Sequence, residues 1–215
     1  DDSPETYAVV IDSQCDDGPS DIDGYSEFDT STITQTLLTN PETNQTQSLD
    51  LYLVEYKYID VNGNTVTAAE LPKLFNTKTQ TVEATVKNKL NGECVVSENI
   101  QFTVDPLPVV KEAITVEQCD NDDDNEGKTK FNLTSHENLI SENSENEEFE
   151  YYFDVDLTEP ITSPENFENT VLYNQSIYVK ILTDQNCFRE SRIDLKIGAS
   201  QIPNTFVDDN NTKYT

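Results

Sequence analysis

Apolar and polar side chains alternate over many short stretches of this chain. Because successive side chains of an extended strand point to opposite faces, such alternation predicts β-strands with one buried face. Several short strands separated by polar turns are typical of antiparallel β-sandwiches. The apolar positions of the predicted strands are Tyr7, Val9, Ile11; Leu49, Leu51, Leu53; Val82, Ala84, Val86; Ile100, Phe102, Val104; Phe149, Tyr151, Phe153; Ile177, Val179, Ile181; and Ile193, Leu195, Ile197.

Helix is expected only in connections between strands. Residues 134–137 have the spacing of a capping box ahead of Leu139 and Ile140, which predicts a short helix there. A second helical turn is predicted at residues 163–165, since proline favours the first helical position and Pro164 occupies it. The predicted fold class is therefore all-β, with tandem Ig-like antiparallel sandwiches and short connecting helices.

The chain contains an internal repeat of about a hundred residues. Gln14-Cys15-Asp16 returns as Gln118-Cys119-Asp120, each followed by an acidic loop. Repeats of this length indicate modules in an array, and such arrays span, hold or bind more often than they catalyse. Further equivalent pairs are Phe28 and Phe131, Pro72 and Pro164, Phe75 and Phe167, and Cys94 and Cys187.

Prolines mark the predicted module boundaries. Pro4 and Pro108 each precede the first cysteine of a module by eleven residues, and Pro203 begins a third lead-in. Tyr214 stands where the third cysteine would be expected. We therefore predict one Ig-like repeat over residues 1–105, a second over 106–200, and a lead-in to a further repeat or a linker over 201–215. The chain is interpreted as a fragment of a longer array.

The chain is strongly acidic. Its 42 Asp and Glu residues outnumber 13 Lys and Arg residues, for a formal net charge of −29. Nucleic acid is excluded as a partner because binding it requires a basic surface. The acidity is explained either by solubility and mutual repulsion between crowded molecules or by cation binding. No apolar run has the roughly 20 residues needed to span a bilayer, so no transmembrane segment is expected.

Four cysteines, two per module at matching places, suggest disulfide bonds. The pairing that respects the repeat is Cys15 with Cys94 and Cys119 with Cys187, and each bond would stabilise by roughly 4 kcal/mol in the loop-entropy model. An extracellular, oxidising setting would follow. The alternative is four reduced core thiols. Zinc is disfavoured, because there is no CxxC motif and His136 is the only histidine.

The acidic loops after Cys15 and Cys119 are candidates for Ca²⁺ binding. Alternating aspartates in the second loop resemble the first half of an EF-hand, whose oxygens converge on calcium, although Phe131 stands where the bidentate carboxylate would be. The alternative is that both loops are solvated turns. The candidate ligands are Asp16, Asp17, Asp21 and Asp23 in the first module and Asp120, Asp122, Asp124 and Glu126 in the second.

Catalysis and sugar binding receive little support. With 42 acidic residues, pairs of carboxylates carry little information about catalysis. His136 falls in a predicted helix and is interpreted as a surface residue. Aromatic residues such as Tyr56 and Tyr151 invite a carbohydrate-stacking interpretation, but their parity along predicted strands favours packing in the core. We therefore predict that the chain is not an enzyme.

At the level of motifs, the chain resembles the repeats of very large surface adhesins of gliding Bacteroidetes, the SprB-type adhesins exported by type IX secretion. The resemblance covers about residues 4–200. The motifs that carry it are the Pro-x-x-Tyr lead-in, Gln-Cys-Asp with its acidic loop, Phe-Asn-Leu-Thr at 131–134, Phe-x-Tyr-Tyr at 149–152, Pro-x-x-Phe at 164–167, Asn186-Cys187 and Pro-Leu-Pro at 106–108.

This resemblance implies stalk or adhesive repeats of a secreted, outer-membrane-associated protein that supports surface attachment and gliding. The partners implied are extracellular surfaces or polysaccharide, with the gliding and secretion machinery contacted through other regions. The alternative function is a pair of carbohydrate-binding modules attached to a secreted polysaccharide-degrading protein. Specific, saturable binding to a glycan would favour the alternative.

Overall fold

The computed structural model describes residues 3–18, 20, 22–120, 126–198, 206–207 and 213–214. It divides into two compact units, Asp1–Leu107 and Pro108–Thr215. This division lies two residues beyond the predicted boundary at 105. The predicted lead-in at 201–215 lies outside the described residues, except for a short antiparallel pair of strands near the end of the chain.

The first unit is built from short strands and one helix in its described part. The strands are β1 (Gln14–Cys15), β2 (Ser26–Asp29), β3 (Tyr52–Ile59), β4 (Thr65–Ala68), β5 (Leu74–Thr77), β6 (Gln80–Asn88), β7 (Val95–Phe102) and β8 (Val104–Asp105), and the helix is α1 (Ile33–Leu38). An antiparallel sheet has the order β4-β3-β6-β7, β2 pairs with β5, and β1 pairs in parallel with β8.

The core of the first unit lies between this sheet and the β2–β5 pair. Val82, Ala84 and Val86 are fully buried, as the alternation predicts. The Phe28 and Phe75 rings pack edge-on against Phe102, with centroids 5.1 and 5.2 Å away. Such T-shaped contacts add to the stabilisation from apolar burial and join the two layers.

The second unit repeats this plan. Its strands are β9 (Ala113–Cys119), β10 (Lys130–Phe131), β11 (Glu148–Tyr152), β12 (Phe167–Glu168), β13 (Asn174–Leu182), β14 (Phe188–Gly198), β15 (Phe206–Val207) and β16 (Lys213–Tyr214), and its helix is α2 (Glu137–Ile140). Turns of 3₁₀ helix span Thr134–His136, Ser144–Asn146 and Pro164–Asn166. The main sheet has the order β11-β13-β14-β9, and β10 pairs with β12.

The core of the second unit confirms the predicted faces of β13 and β14. Alternate residues of both strands are buried, at Ile177, Val179, Ile181, Ile193, Leu195 and Ile197. Phe131 and Phe167 pair across β10 and β12 and are buried on the same side. The fold is thus all-β, as predicted, with two Ig-like sandwiches that have separate apolar cores.

Two predicted strands differ from the structure. Tyr7, Val9 and Ile11 are half-buried, as the alternation predicts, but the segment does not form a strand. The Tyr7 amide donates to the Leu37 carbonyl at the end of α1. In β3 the predicted face is wrong: Leu53 is 40% exposed.

The buried positions of β3 have the opposite parity and are Tyr52, Val54 and Tyr56. Large aromatic rings bury more apolar area than leucine, which explains why that face turns inward. In β11 the predicted face is confirmed for Phe149 and Tyr151, which turn inward, whereas Phe153 lies after the strand and is 37% exposed.

The predicted helix is present as a 3₁₀ turn over Thr134–His136 followed by α2, but without the predicted capping box, because its N-cap position is Leu133. The side-chain oxygen of Asn132 accepts a hydrogen bond from the Ser135 amide at 3.2 Å. The predicted turn at 163–165 is present as 3₁₀ helix. Helix α1 was not predicted, although its Ile33, Leu37 and Leu38 have the helical spacing of one buried face.

Candidate functional site

The two cysteines of the first unit lie at opposite ends of it. Cys15 ends β1 and pairs with Asp105, the last residue of β8. Cys94 lies in the turn before β7, eleven residues upstream of Asp105. At about 3.3 Å per residue, the intervening extended chain spans roughly 35 Å. We call the end of a unit that holds its last strand residue, Asp105 in the first unit, the exit end. The opposite end, which holds the turn before the last long strand, is called the turn end.

The second unit places its cysteines in the same way. Cys119 ends β9 and pairs with Gly198, the last residue of β14, at the exit end. Cys187 immediately precedes β14 at the turn end. Since the two cysteines of a disulfide have Cα atoms less than about 7 Å apart, a bond within either unit is excluded by this geometry.

The bonding state of the sulfurs agrees with the geometry. Cys15 and Cys187 are disulfide-bonded, whereas Cys94 and Cys119 are free. The predicted pairs Cys15–Cys94 and Cys119–Cys187 are therefore not formed. The sequence showed that the cysteines occupy equivalent places in the two modules. It did not show at which end of a module each cysteine lies.

The turn end of the second unit is also where its chain begins. Ala113, the first residue of β9, pairs in parallel with Arg192, and the Ser191 hydroxyl donates to the Lys111 carbonyl at 2.8 Å. Cys187 lies five residues before Arg192, and so lies beside the start of the unit. Its amide is held by the Thr183 hydroxyl at 3.2 Å, and its side chain is 1% exposed.

A buried aspartate follows the first cysteine of each unit. Asp16 is 5% exposed and Asp120 is 1% exposed. Asp16 accepts a hydrogen bond from the Gly24 amide at 3.0 Å, and Asp120 accepts one from the Gly127 amide at 2.7 Å. Each carboxylate therefore closes the acidic loop onto the strand that carries the cysteine.

The other predicted calcium ligands are distributed differently. Asp17 and Asp23 are exposed, and Asp23 accepts from the Tyr25 amide in a local turn. Glu126 lies 3.7 Å from the Lys128 ammonium group. Asp21, Asp122 and Asp124 lie outside the described residues. Within the part of the chain that the structure describes, no three acidic, Cys or His side chains form a metal-binding group, so calcium binding stays a prediction.

Gly127 packs closely against Tyr173, a contact that the sequence did not reveal. Its φ is +80°, and a Cβ atom there would lie 2.7 Å from the Tyr173 ring. Its carbonyl accepts hydrogen bonds from the Tyr173 amide and from the Asn169 side chain. The glycine thus permits the close packing that fixes the end of the acidic loop.

The aromatic residues act mainly in the core. The buried Tyr56 hydroxyl lies 2.8 Å from the Thr34 hydroxyl, and the Tyr151 hydroxyl donates to Glu137 at 2.8 Å. Burial and the Glu137 carboxylate raise the pKa of Tyr151, so it stays neutral. These bonds tie the short helices to the sheets, which supports packing over sugar stacking.

His136 is held by local contacts of its helical turn. Its Nδ1 lies 3.0 Å from both the Ser135 hydroxyl and the Asn132 carbonyl. Both partners belong to the start of the same helical turn, so they orient the imidazole ring locally. The arrangement agrees with the interpretation of His136 as a surface helix residue.

Cys119 lines a surface depression of about 400 Å³ at the exit end of the second unit. Glu117 and Lys196 lie on its wall, with 3.7 Å between the carboxylate and ammonium groups. Cys119 is an exposed residue.

Among the described residues no helix is long and apolar enough to cross a membrane.

Comparison with solved structures gives distant similarity to Ig-domain proteins. The Ig1-2 module of Drosophila receptor protein tyrosine phosphatase DLAR is 8% identical, with a TM-score of 0.23 over 68% of this chain and 84% of that one. Sidekick-1 immunoglobulin domains 1-4 are 10% identical, with a TM-score of 0.29 over 93% of this chain and 48% of that one.

The SGBP-B protein of a Bacteroides ovatus mixed-linkage glucan utilization locus, solved with a mixed-linkage heptasaccharide, is 11% identical, with a TM-score of 0.23 over 92% of this chain and 48% of that one. The chain thus spans about half the length of the Sidekick-1 and SGBP-B structures. No curated protein matches the chain. Residues 115–203 match the family described as the Flavobacterium inter-domain disulphide bond domain.

Proposed function

We propose that this chain is a pair of extracellular Ig-like spacer modules whose joint is locked by a disulfide bond between Cys15 and Cys187. The state of the four cysteines carries this proposal. Because Cys94 and Cys119 are free, the two bonded sulfurs are each other's partners. The family matched by residues 115–203 is described by a bond of this kind.

The positions of the two cysteines along the chain support the same bond. Cys15 lies at the exit end of the first unit, beside Asp105, and Cys187 lies at the turn end of the second unit, where that unit begins. The boundary between the units falls at Leu107, two residues after Asp105. A bond at this joint therefore connects the end of one module to the start of the next.

The proposed bond acts on the joint more than on either fold. Each unit has its own apolar core, and neither core contains a cysteine. Domains connected by a short linker move relative to each other unless their interface is large and apolar. A covalent bond beside the linker removes this freedom, so a series of such modules resists bending.

Our first prediction is that the double variant C15S/C187S loosens the joint without unfolding the units. Spin labels or fluorophores on one exposed residue of each unit should report a broader distance distribution than in the wild-type protein. Circular dichroism should keep its β signature. The matched control is C94S/C119S, which removes the two free thiols and should leave the distance distribution unchanged.

Non-reducing peptide mapping tests the bond itself. We expect one linked peptide that contains Cys15 and Cys187. Linked peptides that join Cys15 to Cys94 or Cys119 to Cys187 would contradict the proposal, as would equal distance distributions in C15S/C187S and in the wild-type protein.

The setting that fits such modules is a cell-surface adhesin. Disulfides persist outside the reducing cytoplasm, and a net charge of −29 keeps crowded surface molecules apart. The resemblance to SprB-type repeats supports a role in surface attachment and gliding, with export by type IX secretion. Deletion of the modules from the gene should reduce surface spreading of the cells, and unchanged spreading would contradict this role.

A glycan array separates the spacer function from the carbohydrate-binding alternative. The buried positions of Tyr56 and Tyr151 leave these rings unable to stack on a sugar. We therefore expect no saturable binding to polysaccharide through these rings. Specific, saturable binding of the purified chain would favour a pair of carbohydrate-binding modules instead.

A further inference from the structure

The chain contains two Asn-Gly dipeptides, Asn62-Gly63 and Asn91-Gly92. The first lies in the turn between β3 and β4, and the second lies in the turn between β6 and β7. All four residues are exposed to solvent. Because glycine has no side chain to obstruct its amide nitrogen, that nitrogen can attack the side-chain carbonyl carbon of the preceding asparagine. Sequence and exposure therefore do not distinguish the two dipeptides, but their hydrogen bonds do.

The Gly63 amide is restrained by its turn. It donates a hydrogen bond to the Asp60 carbonyl at 2.9 Å. The Asp60 carboxylate accepts from the Asn62 amide at 2.9 Å and from the Asn64 amide at 2.8 Å, on either side of Gly63. Attack by the Gly63 nitrogen requires it to give up its hydrogen bond and to lose a proton beside a negative charge, and both changes are unfavourable.

The Gly92 amide has no such restraint. Within the part of the chain that the structure describes, no group accepts a hydrogen bond from this amide. The side-chain oxygen of Asn91 accepts from the Glu93 amide at 3.2 Å. Negative charge develops on that oxygen when its carbon is attacked, and a backbone amide that already donates to it stabilises this charge. The second turn therefore favours the reaction that the first turn opposes.

We infer that Asn91 is a site of spontaneous deamidation and that Asn62 is protected from this reaction by its turn. The inference goes beyond the proposed function, because it depends on two turns of the first unit and not on the bond between Cys15 and Cys187. The only co-reactant is water, so neither an enzyme nor a cofactor is required.

The reaction proceeds through a cyclic imide. The Gly92 nitrogen forms a bond to the Asn91 side-chain carbonyl carbon and loses its proton to solvent. The bond from that carbon to the side-chain nitrogen breaks, and this nitrogen takes up a proton and leaves as ammonia. Water then opens the succinimide at the side-chain carbonyl to give aspartate, or at the main-chain carbonyl to give isoaspartate. One amide and one water thus give one carboxylic acid and one ammonia.

The two products affect the turn differently. In the unmodified turn the Asn91 carbonyl accepts from the Cys94 amide at 3.0 Å, and the side-chain oxygen of the buried Asn88 accepts from the Asn91 amide at 3.2 Å. Aspartate keeps this backbone path and adds one negative charge. Isoaspartate adds a carbon to the main chain after residue 91, so the carbonyl that bonds to the Cys94 amide is displaced. Isoaspartate at this position therefore loosens the turn end of the first unit.

A time course on the whole chain tests the inference. The protein is incubated in mildly alkaline buffer, folded and in parallel in concentrated urea, and is digested with trypsin at intervals. Cleavage after lysine places Asn62 in the peptide 58–73 and Asn91 in the peptide 90–111. Mass spectrometry follows the conversion of each amide to an acid, and fragment ions locate the modified residue.

In the folded chain we expect Asn91 to deamidate at least about tenfold faster than Asn62, which corresponds to about 1.4 kcal/mol of activation free energy. In urea both turns are lost, so the two rates should be similar. Equal rates in the folded chain, faster reaction of Asn62 or an unchanged Asn91 would overturn the inference. A ratio in urea that equals the ratio in the folded chain would also overturn it, because local sequence would then determine both rates.

Gly92→Ala is the matched variant. Gly92 does not have a positive φ, and a Cβ atom there meets nothing within 4 Å, so the turn accommodates alanine. The methyl group hinders attack by the amide nitrogen. Deamidation of Asn91 should therefore slow severalfold in this variant, while the rate at Asn62 stays the same. Deamidation of Asn91 at the wild-type rate in Gly92→Ala would contradict attack by the Gly92 nitrogen.

Discussion

At the scale of single residues, the aspartate after each first cysteine has a structural task. Asp16 and Asp120 are buried, and each gives a carboxylate oxygen to a glycine amide. A charged hydrogen bond of this kind is roughly twice as strong as a neutral one. The sequence indicated a metal ligand at both positions, because composition reveals carboxylate oxygens but not the backbone amides that reach them.

Gly127 gives a residue-scale prediction. The substitution Gly127→Ala places a Cβ atom 2.7 Å from the Tyr173 ring at a φ of +80°. The backbone strain and the clash should together lower the free energy of unfolding by about 1–3 kcal/mol. Urea denaturation of the whole chain, followed by tyrosine fluorescence and circular dichroism, measures this change.

Gly63→Ala is the matched control. Gly63 has a φ of +81°, but a Cβ atom there meets nothing within 4 Å. It should therefore show the cost of the backbone conformation without the clash. Equal losses of stability in Gly127→Ala and Gly63→Ala would mean that packing against Tyr173 contributes nothing.

At the scale of elements, the buried faces of β6 and β13 were predictable from their regular alternation. β3 also lies between two strands, but both of its faces carry apolar residues, so alternation alone did not identify the buried one. The segment at Tyr7–Ile11 alternates equally well, yet it forms no ladder. Alternation reports which face is buried, but not whether a neighbouring strand offers backbone partners.

The β13–β14 ladder gives an element-scale prediction. The Asp194 carboxylate accepts from the cross-strand Ser176 hydroxyl at 2.8 Å and contacts the Arg192 guanidinium. Desolvation alone would raise the pKa of Asp194, but the Ser176 hydroxyl and Arg192 outweigh it and lower this pKa. Asp194→Asn should therefore lower stability at neutral pH by about 0.5 kcal/mol, the usual scale of a cross-strand pair.

The pH dependence of that loss provides its check. Because the folded pKa of Asp194 is lowered, its contribution is fully present above the unfolded pKa of about 4 and disappears as the pH falls through the folded value. The difference in unfolding free energy between Asp194→Asn and the wild-type protein should shrink as the pH falls below about 4. A difference that stays constant from pH 7 to pH 2 would contradict the role of the charged carboxylate.

At the scale of the whole molecule, the cysteine framework was only half predictable. The repeat identified Cys15 and Cys119 as one kind of residue and Cys94 and Cys187 as the other. Pairing within modules and pairing between modules both join one kind to the other, so sequence spacing does not distinguish them. The extended segments that follow Cys94 and Cys187 do distinguish them, because each segment separates the two cysteines of its unit by roughly 35 Å.

Calcium binding is a whole-molecule prediction, because both units carry acidic loops that could bind the cation. The acidic loops contain hard oxygen ligands, and closing them on a cation would stabilise the folded units by mass action, by about 2.7 kcal/mol at a hundredfold excess over the Kd. We therefore expect millimolar Ca²⁺ to raise the Tm above its value in excess chelator.

Mg²⁺ at the same ionic strength is the control, since any divalent cation screens a chain with a net charge of −29. Mg²⁺ prefers a rigid octahedral shell and fits flexible acidic loops poorly. The variant D122N/D124N should lose the part of the Tm shift that is specific to Ca²⁺. If Ca²⁺ and Mg²⁺ raise the Tm equally, and D122N/D124N changes neither shift, the acidity acts through repulsion between surfaces and the loops are solvated turns closed by Asp16 and Asp120.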